Sequence, residues 1–327
     1  MKKIINWIKE DFFYILFIVI TFLVCNIGLP YYVLSPGGVM DINNRIKVDN
    51  KYETKGTLDL LYVAERKATI PTCLLSFILR DWNLESVDNI KVSDESEKDI
   101  ELRNSLMLKN SIQNAVFTAY NKAEKIINIK GQEIVVVATL KNNNLKIGDI
   151  ILKANGIELK DANQLKTIIA GCDDKLNLVI KRNKKEQEVV VPVEEDNIKH
   201  IGIVYITNYD YDLDPELKLE FKQGEGGASG GLMIALNIYN SLVKEDISHS
   251  HKIAGTGTID MYGNVGAIDG VKYKIIGAYR NKMELVFVPQ DNYEEAIKVI
   301  KERNYKMKVV GVSTFDETVD YLEKNYN

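Results

Sequence analysis

The sequence predicts an α+β protein headed by a transmembrane helix, on three observations. An uncharged apolar run, FFYILFIVITFLVCNIGL, fills residues 12–29. From Ile129 the chain changes to short β-type runs separated by turn residues. In the last third, strand-like and helical apolar runs alternate after a glycine-rich turn at Gly224–Gly231.

The first run is 18 residues long. At ~1.5 Å per residue it approaches the ~30 Å hydrocarbon core, with Trp7, Tyr31 and Tyr32 as interfacial anchors. Lys2, Lys3 and Lys9 precede it, and no lysine or arginine follows until Arg45. That asymmetry predicts a cytoplasmic tail over 1–11, a span over 12–29 and everything beyond outside the cell membrane. A cleaved signal peptide needs small residues at its cleavage site, and the first alanine is Ala64, so a retained single-pass anchor is expected.

At 327 residues the chain is long enough for two or three domains, and 46% apolar against 27% charged residues predicts globular cores. A net charge of −4 gives no basic face for nucleic acid. Cys25, Cys73 and Cys172 have no zinc-like spacing. Cys73 and Cys172 are the candidate disulfide, with two separate buried thiols the favoured reading. No cofactor or metal is expected.

Residues 30–127 predict an extracellular juxtamembrane α/β region. Thr57–Val63 has strand character, Ile70–Trp82 reads as an amphipathic helix begun near Pro71, and a long helical pattern follows from about Ile100 to Ile127. No chemistry is visible there. Next come a strand at Glu133–Ala138, a strand ending in the tight Asn155-Gly156 turn, and a helix over Ala162–Ala170 closed by Gly171. Strands at Leu176–Arg182 and Glu186–Val193 complete the segment. The stretch LKIGDIILKANGIEL resembles the central signature of PDZ domains, over about 128–194. That resemblance implies peptide binding by strand addition at a sheet edge. The usual glycine-rich carboxylate-binding loop is not evident; Asn128–Gln132 is the nearest candidate and departs from the pattern.

Gly227-Ala228-Ser229-Gly230-Gly231 leads into the helical run Leu232–Tyr239. Glycines let a substrate backbone approach, and free N–H groups at a helix start can stabilise an oxyanion. A phosphate-binding loop would need G-x-x-x-x-G-K-[ST], which is missing here. The five residues formally match a G-x-S-x-G hydrolase elbow. The only later histidines, His249 and His251, follow closely in a polar loop read as a solvated turn, and too little chain remains for that fold.

The order of motifs that follows decides the class. Thr256-Gly257-Thr258-Ile259, Gly263–Gly266, the helical segment bearing Lys272 and Lys274, and Leu285–Pro289 together resemble the proteolytic domain of Lon proteases, expected over 195–327. With an anchor and a PDZ-like module, the chain resembles the membrane-anchored, PDZ-containing Lon-like proteases of Gram-positive bacteria, the pheromone-processing type. The family has proline before the serine and alanine after it, where this chain has Ala228 and Gly230, and Asp269-Gly270 replaces the usual Gly-Gly.

The resemblance implies an ATP-independent serine endopeptidase with a Ser229–Lys274 dyad. Lys272 falls on the variable position, and Thr256 is a candidate supporting residue that hydrogen-bonds the lysine. It further implies a peptide or exposed protein segment as substrate, with the PDZ groove as a route to it, and admits a homo-oligomer. The alternative is a catalytically inactive, membrane-tethered peptide-binding protein.

Overall fold

A computed structural model describes residues 11–49, 51–140, 143–222 and 224–326. The chain forms two compact units, one of residues 1–37 and 63–90 and one of residues 38–62 and 91–327.

In the smaller unit the apolar run folds differently from expectation. A helix covers only Phe12–Cys25, 14 residues. At ~1.5 Å per residue it is ~21 Å long, well short of a bilayer core. Asn26 ends it: its backbone N–H and side-chain amide both donate to carbonyls of the last turn, the amide to Phe22 at 2.7 Å. The chain then enters a strand at Gly28, which runs to Met40. No helix among the described residues is long and apolar enough to cross a membrane. The expected span over 12–29 is therefore corrected, and with it the single-pass membrane location and the extracellular placement of the catalytic region. An unbroken apolar run sets hydrophobicity, not helix length, and Asn26, Gly28 and Pro30 favour leaving the helix. The expected tail over residues 1–10, with Trp7 and the lysines, lies outside the described residues.

Within the same unit, Tyr31–Leu34 pairs antiparallel with Asn83–Ser86. The Ile70–Ile78 helix begins at a Thr69–Thr72 capping box with Pro71 in its first turn, and stops four residues short of Trp82.

In the larger unit a parallel sheet runs in the order Lys308–Val312, Leu285–Pro289, Lys252–Gly255 and the Thr57–Leu60 part of the Thr57–Thr69 strand. Helices cover both faces, as two fully covered faces require. On one face the Glu97–Lys122, Gly231–Leu242 and Phe315–Tyr326 helices bury a core that includes Phe117, Tyr120, Met233, Leu236, Phe287 and Phe315. On the other, the Val271–Arg280 and Tyr293–Arg303 helices pack Val271, Ile275, Ile276 and Ala296 against Leu61, Val286 and Val288. The sheet of the C-terminal third thus takes one strand from residues 57–60, far upstream.

A second sheet, largely antiparallel meander, has the order Ile203–Asp214, Ile126–Thr139, Ile150–Ala154, Lys175–Arg182 and Lys185–Pro192, with Ile157–Glu158 paired to Ile150–Ala154. The Asn155-Gly156 turn has both residues at positive φ, 48° and 77°, which the hairpin geometry requires. The Ala162–Ala170 helix, capped by the Asp161 side chain on Gln164 N–H at 2.8 Å, closes a core of Ile134, Ile151, Leu165, Leu176 and Leu178. The three cysteines are unpaired, and Cys172 is buried.

Candidate active site

The Gly231–Leu242 helix is apolar on almost every face and buried along its length, so its start is fixed by the core. Gly231 leaves no room for a side chain: a Cβ there would lie 2.7 Å from Ile259 Cγ2 and 2.8 Å from Ser111 Oγ. One turn earlier, Gly231 N–H donates to Ala228 C=O at 3.3 Å. Ser229 and Gly230 occupy the middle of that turn, and among the described residues no carbonyl accepts from their N–H groups. Backbone N–H groups without a carbonyl partner at a helix start are the kind of donor that can receive an oxyanion.

The Thr256-Gly257 segment fixes the serine from the other side. Gly257 N–H donates to Ser229 C=O at 2.8 Å, and Leu232 N–H donates to Gly257 C=O at 3.1 Å. Thr256 N–H donates to Phe287 C=O at 3.0 Å, which ties the segment to the parallel sheet. Thr256, fully buried, donates its hydroxyl to Ser229 C=O at 2.9 Å.

The Val271–Arg280 helix starts at Gly270, which is left-handed at φ 72°. Its buried face carries Val271, Lys274, Ile275 and Ala278. Lys274 is 2% exposed and is the only buried lysine among the described residues. Its Nζ donates to Thr256 Oγ1 at 2.9 Å. Ser229, Thr256 and Lys274 are therefore joined by two consecutive hydrogen bonds, with Thr256 in the middle. Burial pushes the Lys274 ammonium down to about 8, against a smaller upward pull from Asp269. Lys272 is half-buried, with its Nζ 5.6 Å from the Tyr273 ring centroid.

The histidines lie elsewhere in role. His249 and Ser250 are at positive φ in a turn, and His251 Nδ1 meets the exposed Glu284 carboxylate at 2.7 Å.

Three residues without a motif also hold the serine turn. Asn104 C=O accepts from Gly227 N–H at 3.0 Å, and Ser111 Oγ donates to Ala228 C=O at 3.0 Å. Both sit on the Glu97–Lys122 helix, where the sequence had shown no chemistry. Arg45 grips Glu225 with two hydrogen bonds, at 2.6 and 3.0 Å. The one available signal was Glu225 itself, a lone charge inside a glycine run.

Residues 222–324 match the Lon protease (S16) C-terminal proteolytic domain. The chain is 27% identical over 165 residues to a Lon protease of Mesomycoplasma hyopneumoniae, covering 49% of this chain and 18% of that one. It is 33% identical over 118 residues to Lon protease 2 of Borreliella burgdorferi, covering 35% and 15%. With a Lon protease of Mycoplasma mobile it shares 24% identity over 303 residues, covering 85% and 33%. The chain thus spans a third or less of the length of these relatives. Among solved structures it resembles the PDZ domain of an SdrC-like protein from Listeria monocytogenes, at 17% identity and a TM-score of 0.21, over 22% of this chain and 86% of that one. Ser229, Thr256 and Lys274 all lie within residues 222–324, the stretch that matches the Lon-type proteolytic domain.

Proposed function

We propose that the chain is a serine endopeptidase that needs no nucleotide, with Ser229 as nucleophile and Lys274 as general base. The observation that carries this reading is Lys274, a buried lysine lowered to about 8 and linked through Thr256 to the serine backbone. An ordinary lysine is almost wholly protonated at neutral pH and cannot accept a proton, whereas one near 8 has a useful neutral fraction. Neutral Lys274 takes the proton of the Ser229 hydroxyl as Oγ attacks the peptide carbonyl. The ammonium then gives that proton to the leaving amine, and an acyl-enzyme remains. The free N–H groups of Ser229 and Gly230 receive the developing oxyanion. A water molecule, activated by the same amine, releases the acyl group.

Thr256 orients the base: by accepting from Nζ it aims the lysine, and by donating to Ser229 C=O it fixes the distance between the two catalytic residues. The substrate class is short peptides or exposed protein segments, and the sheet built around 128–194 is a PDZ-like module that presents them.

Peptide-library cleavage by the Ser229→Ala, Lys274→Ala and Lys272→Ala variants tests the assignment. Activity is expected to vanish in the first two and persist in the third. Full activity of Lys274→Ala would reject the dyad, and full activity of Ser229→Ala would reject the nucleophile.

A further inference from the structure

Five of the eight residues from Gly224 to Gly231 are glycine, and Gly224 and Gly227 are both at φ 87°. Each glycine adds conformational entropy that is lost on ordering. A nucleophile carried on such a segment needs outside restraint, because catalysis depends on reacting atoms held within about half an ångström. On the side facing the Glu97–Lys122 helix, the restraints are single neutral hydrogen bonds from Gly227 N–H to Asn104 C=O and from Ser111 Oγ to Ala228 C=O. The entry to the segment holds its one charged residue, Glu225.

We propose that Arg45 and Glu225 form a clamp that positions the Ser229 turn for catalysis. This rests on Ser229 being the nucleophile, as proposed above. Arg45 Nη1 and Nη2 donate to Glu225 Oε2 and Oε1 at 2.6 and 3.0 Å, the two-pronged geometry that fixes orientation as well as distance. Glu225 Oε2 also accepts from Lys222 N–H at 2.7 Å, and Glu225 N–H donates to Lys222 C=O at 3.1 Å, so the carboxylate and its own backbone are pinned together. Burial pushes the Glu225 carboxyl up, but the bonds from Arg45 and Lys222 N–H outweigh it and hold the group below the usual carboxylate range. It stays ionised, and the clamp closed, at neutral pH.

Arg45 is itself anchored. It ends the Asn43–Arg45 turn, with its N–H on Ile42 C=O at 2.8 Å and Ile42 fully buried. The next residues, Ile46–Val48, pair antiparallel with Leu217–Leu219, the strand that leads into the glycine segment. The guanidinium also lies 5.4 Å from the Phe221 ring centroid. Glu225 thus meets a fixed cation four residues before the nucleophile. Both side chains are about one-fifth exposed, at 19% and 20%, so the pair sits at the margin of the core rather than inside it. Breaking it should move the turn more than it unfolds the protein.

The test is the second-order rate of Ser229 labelling by a peptidyl phosphonate, with melting temperature and pH profile measured on the same full-length samples. Glu225→Gln and Arg45→Lys keep size but lose the two-pronged charged contact. The expected result is a rate lower by about 10- to 100-fold in Glu225→Gln, in line with ångström-scale misplacement, and by a smaller factor in Arg45→Lys. The rise with pH should keep its midpoint near 8, set by Lys274, and the melting temperature should stay within a few degrees of wild type. Cleavage of a peptide should lose kcat with little change in KM. Labelling within twofold of wild type in Glu225→Gln would overturn the clamp and leave the dyad standing. A wild-type protein that takes no label at all would instead reject the nucleophile on which the clamp rests. A midpoint displaced along with the rate would also overturn it, because the pair would then act on the base and not on the turn.

Discussion

Replacing Lys274 by methionine should stabilise the protein at neutral pH while abolishing activity. The buried lysine is lowered from the ordinary 10.5 to about 8, chiefly by burial. Below about pH 8 both folded and unfolded chains carry the proton, and the folded state bears the whole cost of a buried charge. That difference corresponds to roughly 3 kcal/mol. Between about 8 and 10.5 the unfolded chain binds more protons than the folded one, so wild-type stability rises with pH until the cost is lifted. Methionine has similar length and no charge. It gives up the hydrogen bond to Thr256 Oγ1, about 1 kcal/mol, but leaves that hydroxyl its bond to Ser229 C=O. The net expectation is a variant about 2 kcal/mol more stable than wild type from pH 6 to 8, with the gap closing before pH 10.5 and reversing by about 1 kcal/mol above it, where only the lost hydrogen bond remains. Urea denaturation followed by circular dichroism at half-unit pH steps measures it. A gap that does not change with pH, or a variant less stable than wild type at pH 7, would refute the claim that Lys274 is held in the fold against its charge.

Peptide cleavage by the wild type should rise with pH through about 8 and level off about one unit above, since only about a tenth of Lys274 is neutral at pH 7; a flat profile between pH 6 and 9 would count against a lysine base. Thr256→Val removes the hydroxyl that bridges Lys274 and Ser229 C=O, and kcat should fall about 10- to 100-fold, with a stability loss of about 1–2 kcal/mol from the unsatisfied groups. Gly231→Ala would press a methyl group onto Ile259 and Ser111, and thermal melting should show a loss of about 1–3 kcal/mol from overpacking. Gly230→Ala would bring this chain to the family pattern, but its Cβ would overlap Leu60 Cδ1; it should destabilise alone and recover when combined with Leu60→Ala.

Much of the candidate site's local structure was legible because its constraints are local. A glycine turn feeding an apolar helix placed Ser229, and helical spacing put Lys274 on the same face as Val271 and Ala278, which the structure buries together. The Ala162–Ala170 helix and the Leu285–Pro289 strand have the bounds that capping residues and apolar runs predict. Features that depend on distant partners were not legible. Nothing in Thr57–Leu60 says that it will pair in parallel with Lys252–Gly255. The Glu97–Lys122 helix read as a plain helix because Ser111 and Asn104 acquire meaning only when the serine turn lands on them. Strand Ile203–Asp214 alternates hydrophobic or aromatic residues with polar ones over Tyr209–Asp214, a strand signal that is present in the sequence itself. The N-terminal helix is shorter than the apolar run that contains it, because capping and backbone preference end it at Asn26, before Gly28, and hydropathy carries no information about either. Arg45 and Glu225 lie 180 residues apart and have no shared motif.

The most direct test of the Ser229–Lys274 account is the intact mass and peptide map of the protein after reaction with a peptidyl phosphonate at pH 8.5. The account predicts a single adduct on Ser229, absent in Ser229→Ala, strongly slowed in Lys274→Ala and unchanged in Lys272→Ala. An adduct on another residue, or Lys274→Ala labelled at the wild-type rate, would contradict it.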